Sequence, residues 1–585
     1  MLKDILLQVQ KPARYIGQEW NLPRKEFDKA RIKFALCFPD LYEIGMSNLG
    51  IRVLYSILNN IPDVVCERFF SPARDMELAL RANKMSVFSL ESARDLREFD
   101  IIGFSLGHEL SYTNVLNLLD LGGIPLKSSL RSADHPLIIG GGPCALNPEP
   151  MHEFFDLFLI GEAEEAILEI IDVYRRQRET PGAAINRRGL LDGFSRIEGI
   201  YVPSMYEASH SPQGKMEGFR AAAGAPLKIK KRVVRDLNSA HFPLDWLVPY
   251  IQIVHDRITI EIMRGCPNSC RFCQARSQYF PFRQRKPEKI MELAKETYRR
   301  TGYEEISLCG LSVSDFPGLE GLSAGLISFF KEKAVSLSFS SLKPKAMLGK
   351  TAELIASIKK TGLTFAPEAA TEKMRMILNK DFNTLDFFDI LRQAYTAGYQ
   401  NIKLYFMTGL PFEKEDDLDG IIGLSEQAAL ARKQTGKGPA QVNISVNTLI
   451  PKAHTAFQWF GMDTQEKIKY KQVYLKKRIR VKSLRLNTRN PAMSFLECVL
   501  SRGDRRLSEV ILSAFNKGAR FDAWDNDFSL DRWLDAFRES GIDADFYLQE
   551  RSADELLPWD FIDIGISKDH LIKEFNKINE AAGAH

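Results

Sequence analysis

A chain of 585 residues exceeds what one hydrophobic core can organise and predicts about three or four domains. Its 45% apolar fraction is that of a soluble enzyme, and eight cysteines in this length exclude a disulfide scaffold, while a net charge of +4 selects no partner. The opening stretch MLKDILLQVQKPARY lacks a signal peptide's apolar segment and no later window is apolar enough to span a membrane, so the expected location is the cytoplasm.

Residues 1–30 read as an irregular lead-in. From residue 31 to about 180 the pattern is α/β. IKFALCF (Ile32 to Phe38), DIIGFSL (Asp100 to Leu106), LIIGGGP (Leu137 to Pro143) and FDLFLIG (Phe155 to Gly161) are short apolar runs, and helical stretches such as Asn48 to Asn59 and Ser111 to Leu121 separate some of them. That alternation predicts a doubly wound, Rossmann-like parallel sheet whose ligands bind at the carboxyl ends of the strands, where Asp40, Ser105 and Gly140, Gly141 and Gly142 stand. Glycines there let a backbone approach a nucleotide tail, or simply make a strand-to-loop turn. Residues 181–250 are rich in Gly, Ala, Pro and Lys and read as a connector without chemistry of its own.

A second βα series occupies residues 251–465. Its expected strands are ITIEIMRG from Ile258, EISLCG (Glu305 to Gly310), SLSFSSL (Ser336 to Leu342), GLTFAPEA (Gly362 to Ala369), NIKLYFMTG (Asn401 to Gly409) and QVNISVNTLIP (Gln441 to Pro451). Helical stretches such as Pro287 to Thr301 and Leu385 to Ala397 lie between them. Six such units predict a partial (β/α)6 barrel with its active site at the C-terminal strand ends. The first strand runs into GCPNSCRFC, which places Cys266, Cys270 and Cys273 on one tight loop. Soft thiolates suit an iron–sulfur cluster or zinc, but a structural zinc site takes four ligands and no fourth Cys or His stands nearby at finger spacing. Three thiolates on a [4Fe–4S] cube leave one iron open.

The Cys-x-x-x-Cys-x-x-Cys string, with the apolar Phe272 before the last cysteine, resembles the signature of the radical S-adenosylmethionine (SAM) enzymes, whose open iron chelates the amino and carboxylate groups of SAM. The resemblance implies the partial barrel and a set of SAM contacts. Ser312 and Ser314 follow the second strand; Glu368 ends the fourth in APEAATE, near the ribose, with capping of the helix near Thr371 as its alternative role; Gly409 and Pro411 belong to a GLP turn that supports the adenine. PKAHTAFQW after the sixth strand resembles a stretch of relatives and makes His454 a candidate catalytic group, although a lone histidine is more often structural. Placed before this motif, the first domain resembles the cobalamin-binding domain of the cobalamin-dependent radical SAM enzymes. That family uses Asp-x-His-x-x-Gly after its first strand, and here Asp40, Tyr42 and Gly45 align with tyrosine in the histidine's place. Either cobalamin binds without a protein lower ligand or the domain has kept the fold and lost the cofactor.

Residues 466–585 form a basic segment and a small mixed α/β tail. KIKYKQVYLKKRIRVKSLRLNTR, residues 467–489, suggests RNA binding beside the barrel mouth through its lysines and arginines with Tyr470 and Tyr474 interleaved, or a solvated helix face. The resemblance further implies reduction by a flavodoxin- or ferredoxin-type donor and cleavage of SAM to a 5′-deoxyadenosyl radical. Three functions follow as expectations: a cobalamin-dependent methylase or related group-transfer enzyme, an RNA-modifying enzyme with a vestigial first domain, and a non-catalytic iron–sulfur redox or binding module.

Overall fold

The computed structural model describes residues 2–178, 186–339, 363–581 and 583. The first sheet contains β1 (Ile32–Phe38), β2 (Val64–Phe70), β3 (Ile101–Ser105), β4 (Leu137–Gly141), β5 (Leu157–Leu159) and β6 (Ile200–Tyr201), in the order β2-β1-β3-β4-β5-β6. All pairs are parallel except β5 with β6. The strand order reverses between β1 and β3, the place where doubly wound sheets open a ligand crevice.

Both faces of this sheet are buried. Ile32, Phe34 and Leu36 pack under the helices Leu49–Asn59, Ala163–Gln177 and Arg187–Phe194. Asn48 starts the first of these by accepting a hydrogen bond from the amide of Ile51. The opposite face, with Ala35, Cys37 and Ile102, packs under Tyr112–Leu121 and under three helices from the far end of the chain, Pro491–Ser501, Leu507–Asn516 and Leu530–Glu539. β2 has no counterpart among the strands expected from sequence. Its VVCERFF interrupts an apolar run with Glu67 and Arg68, and Arg68 is buried on ion pairs with Glu19 at 2.8 Å and Glu91 at 2.6 Å.

The connector forms an antiparallel hairpin, β7 (Tyr206–His210) with β8 (Met216–Ala221), and then β9 (Ile229–Lys230). The second series opens with β10 (Ile258–Glu261), followed by a short antiparallel ladder of β11 (Met263–Arg264) with β12 (Arg283–Gln284). β10, β13 (Glu305–Cys309) and β14 (Ser336–Phe339) make a three-stranded parallel sheet. β15 (Leu363–Glu368), β16 (Asn401–Thr408), β17 (Gln441–Thr448) and β18 (Leu484–Thr488) make a four-stranded one. β18 comes from the basic segment and lies parallel to β17. Positions 340–342 and 362 of two expected strands fall outside the described residues, and among the described residues the strands do not close into a barrel.

Alternation sorts β16 into two faces. Ile402, Leu404 and Phe406 are buried against the helices Thr384–Thr396 and Glu415–Ala431, while Lys403 and Tyr405 lie on the other face, as Asn443 and Ser445 do on β17. Parallel strands bring their C-terminal ends together, so the cysteine loop, Glu368, Gly409 and the segment after Thr448 share one end of the series. β19 (Ile562–Asp563) pairs with β9, and the helix Lys568–Ala581 then packs Phe575 against Trp459 and Phe460. Among the described residues no helix is long and apolar enough to cross a membrane.

Candidate active site

The cysteine loop is braced at both ends. Gly265 has φ +81°, and a Cβ there would stand 2.8 Å from the carbonyl oxygens of both Tyr279 and Pro281. Only glycine lets the chain turn under that segment before Cys266. At the other end Cys273 is the N-cap residue of the helix Gln274–Gln278, and the carbonyls beyond it are gathered by Lys231. The buried Lys231 Nζ donates to the carbonyl oxygens of Ser277, Gln278 and Phe280, each at 2.8 Å. Arg271 Nε donates to Glu574 Oε2 at 2.8 Å, which ties the loop to the last helix.

All three cysteines are half-buried. Their sulfurs do not gather within 4.8 Å of one another. Thiolates on one zinc ion would stand about 3.8 Å apart, given tetrahedral angles and Zn–S bonds of ~2.3 Å. The soft three-sulfur donor set fits a [4Fe–4S] cluster. Burial pushes the Cys270 thiol up to about 11 and raises that of Cys273, while the charge of Lys380 opposes both shifts. The metal would therefore displace protons as it binds.

The strand-end residues divide into those that face this loop and those that support it. Asn268 Nδ2 donates to Cys266 Sγ at 3.3 Å and to Asp315 Oδ2 at 2.7 Å, and Ser312 Oγ donates to the same Asp315 oxygen at 2.6 Å. Ser312 is thus buried behind the loop as a brace, with Ser314 buried beside it. Glu368 sits at a bulge in β15 with φ +64°, and its carboxylate lies 3.6 Å from Lys380 Nζ. Burial raises the Glu368 carboxyl and Lys380 works against that; both groups act electrostatically on Cys270 and Cys273. Thr371, not Glu368, caps the helix Glu372–Leu378 by accepting from the amide of Met374, so Glu368 has no capping duty. Lys380 was not anticipated, because one lysine after a helix forms no pattern in a sequence. Gly409 takes φ +79° and donates its amide to Glu413 Oε2 at 2.9 Å. That turn lets Leu410 pack with Ala369 and Phe457 in a cluster that Phe272 adjoins, with the half-buried Pro411 following.

His454 adjoins the loop through its backbone, its carbonyl accepting from Ser277 Oγ at 2.6 Å. It is 5% exposed, its Nε2 bonds the carbonyl oxygen of Leu146 at 3.0 Å, and burial pushes its imidazole down to about 4. A neutral ring bonded to backbone is a structural group, which argues against the catalytic role considered for it.

In the first domain the expected residues do not all face the crevice. Tyr42 is buried against Phe70 and donates its hydroxyl to Glu19 Oε1 at 2.9 Å. Gly45 packs under Phe70, where a Cβ would come within 2.1 Å of the ring. Asp40 Oδ1 accepts from Trp524 Nε1 at 3.1 Å. Ser105 and Gly141 are register partners at the ends of β3 and β4; Gly140 makes room for Phe158, and Gly142, at φ +104°, passes against the backbone of Leu106. These strand ends touch the cysteine end of the second series. The segment Pro143–Leu146 packs against the helix Gln274–Gln278, and Lys452 Nζ reaches Glu109 at 2.7 Å and Glu497 at 2.9 Å.

Comparison with known proteins agrees with this arrangement. Residues 50–203 match the family described as radical SAM proteins, N-terminal, and residues 260–424 match the radical SAM superfamily, together more than half of the chain. The chain is 28% identical over 513 residues to an uncharacterized protein of Methanocaldococcus jannaschii, covering 87% of this chain and 97% of that one. It is 24% identical over 176 residues to a tRNA-2-methylthio-N(6)-dimethylallyladenosine synthase of Desulforamulus reducens, covering 29% of this chain and 38% of that protein. Among solved structures, the radical S-adenosylmethionine methyltransferase TsrM of Kitasatospora setae, with cobalamin and a [4Fe–4S] cluster bound, aligns at 12% identity and a TM-score of 0.46, over 71% of this chain and 75% of that one. The cobalamin-dependent S-adenosylmethionine radical enzyme OxsB aligns at 12% identity and a TM-score of 0.45, over 94% and 84%. With both βα parts matched and three cysteines at the end of the first strand of the second part, the chain belongs to the radical SAM superfamily, whose members hold a [4Fe–4S] cluster and SAM.

Proposed function

We propose that this protein is a group-transfer enzyme that methylates an unactivated carbon, with cobalamin held at the strand ends of the first sheet. The observation that carries this reading is the meeting of two ligand-binding ends. The strand ends of β3 and β4 press on the helix after Cys273 and, through Glu109 and Lys452, on the segment after β17. A group bound in the first crevice would adjoin whatever occupies the end of the second series. Tyr42 is committed to Glu19, so a corrinoid would lie there without a lower ligand from that position.

Cys266, Cys270 and Cys273 would hold three irons and leave the fourth for SAM. Glu368 would accept from the ribose hydroxyls, with Lys380 opposing the upward push of burial on its carboxyl, and the turn at Gly409 to Pro411 would support the adenine. An apolar cluster of Phe457 and Leu410, with Phe272 packed against it, lies at that end. When bound, the cluster and SAM supply a 5′-deoxyadenosyl radical and cobalamin supplies a transferable methyl group.

The test is anaerobic reconstitution with iron, sulfide and hydroxocobalamin, removal of unbound corrinoid, and reduction by dithionite or a flavodoxin- or ferredoxin-type donor in the presence of SAM. Corrin bands beside the iron–sulfur absorbance, with 5′-deoxyadenosine released, are expected. Release without corrin bands would leave a radical SAM enzyme with a vestigial first domain. Iron–sulfur absorbance with no SAM cleavage would reduce the protein to a redox or binding module.

A further inference from the structure

The fold sorts the basic segment into paired and unpaired charge. Lys471 is held by Glu413 at 2.5 Å and Asp463 at 2.7 Å, Arg478 by Asp419 at 3.1 Å, and Arg489 by Glu497. The hydroxyls of Tyr470 and Tyr474 bond Glu415 and Asp419. Lys476, Lys477, Arg480, Lys482 and Arg485 remain exposed, in the last turn of the helix Gln465–Arg478, the turn after it, and β18. Lys433 and Lys437 are exposed on the segment that enters the neighbouring strand β17. Neither 432–441 nor 476–488 contains an aspartate or glutamate. Cations in the last helical turn answer the helix dipole, but Arg480, Lys482 and Arg485 lie beyond that turn, and Lys437 lies beyond the short helix Arg432–Thr435.

This patch stands at the end of the series opposite the cysteines, not beside the barrel mouth as expected from the sequence, because β18 runs parallel to β17 and the cations precede or begin it. β17 leads away from it to Ala453 and His454, whose carbonyls accept from Gln274 and Ser277 beside the cysteine loop. Its eight residues span about 26 Å at ~3.3 Å per residue. A ligand that touches both ends must cover that length, which excludes a mononucleotide. Chemistry on a base also requires the base to leave its stack, and folded RNA presents unpaired bases in loops.

We propose that these cations bind the phosphate backbone of a folded RNA, the substrate class for the reaction at the cysteine end; this rests on the radical SAM reading above. The test uses the full chain, anaerobically reconstituted, with a fluorescent transfer RNA as probe and anisotropy read across a potassium chloride series. Replacing Lys477, Arg480 and Lys482 together by glutamine is expected to flatten the slope of log affinity against log salt by about 2 to 3 and to weaken binding at low salt by about tenfold or more. Formation of 5′-deoxyadenosine without RNA should be equal in both proteins, so failure of the RNA proposal is distinguishable from failure of the radical SAM reading. Equal transfer RNA affinity and slope in the triple variant would overturn the proposal. So would binding to phosphatidylglycerol vesicles with none to RNA, or duplex DNA bound as tightly as transfer RNA.

Discussion

His454 and Lys231 carry consequences that follow from burial alone. The His454 imidazole titrates at about 4 in the folded chain and at its ordinary 6.5 when unfolded, so between those values the unfolded chain binds the proton that the folded chain refuses. Stability therefore rises with pH through that window and is lost as pH falls through it, by up to about 3 kcal/mol at pH 4. A urea titration of the wild type against His454→Gln should show the steeper acid loss only in the wild type, while SAM cleavage at neutral pH persists in the variant. A pH-independent difference would refute the burial argument. Lys231→Met deletes three charge-assisted hydrogen bonds and strands three carbonyls, with an expected cost of about 3 kcal/mol or more in urea. Faster alkylation of Cys273 in the apoprotein would show that the loss reaches the loop.

At the scale of elements, the cysteine loop depends on one backbone turn and one returning segment. Gly265→Ala places a Cβ 2.8 Å from two carbonyl oxygens at φ +81°, an expected cost of about 1 to 3 kcal/mol. Iron bound per chain after reconstitution should fall well below that of the wild type, and full loading would show that the turn adapts. The sequence made this loop legible because its information is local: three cysteines, a glycine and a proline within nine residues specify a turn and its donors. The GLP turn was legible for the same reason. β2 was not, because a buried arginine breaks the apolar pattern and its partners, Glu19 and Glu91, lie far away along the chain.

The whole molecule is held by contacts across its parts. Lys452 is the cation between Glu109 of the first domain and Glu497 of the C-terminal helices. Lys452→Met removes the cation that Glu109 and Glu497 share while Glu497 keeps Arg489, with an expected loss of about 3 kcal/mol, and Lys452→Met with Glu109→Gln should recover part of it. Urea midpoints of the two variants measure both terms; an unchanged midpoint in the single variant would mean that the parts dock without this pair. The three C-terminal helices share one core with the first sheet, so the two ends of the chain form one structural unit despite the series between them.

The sequence by itself determined the βα alternation of both parts, the three-thiol loop and the place of Glu368 and Gly409 at strand ends, because hydrophobic period and residue spacing act over a few residues. Only the tertiary structure decided which way side chains turn and what neutralises them. It set Tyr42 on Glu19, made His454 a backbone brace, brought Lys380 to Glu368 and the connector's Lys231 under the cysteine loop, and divided the basic segment into paired and exposed cations. Those outcomes depend on partners tens to hundreds of residues away, and only packing of the completed sheets brings such partners within a few ångströms.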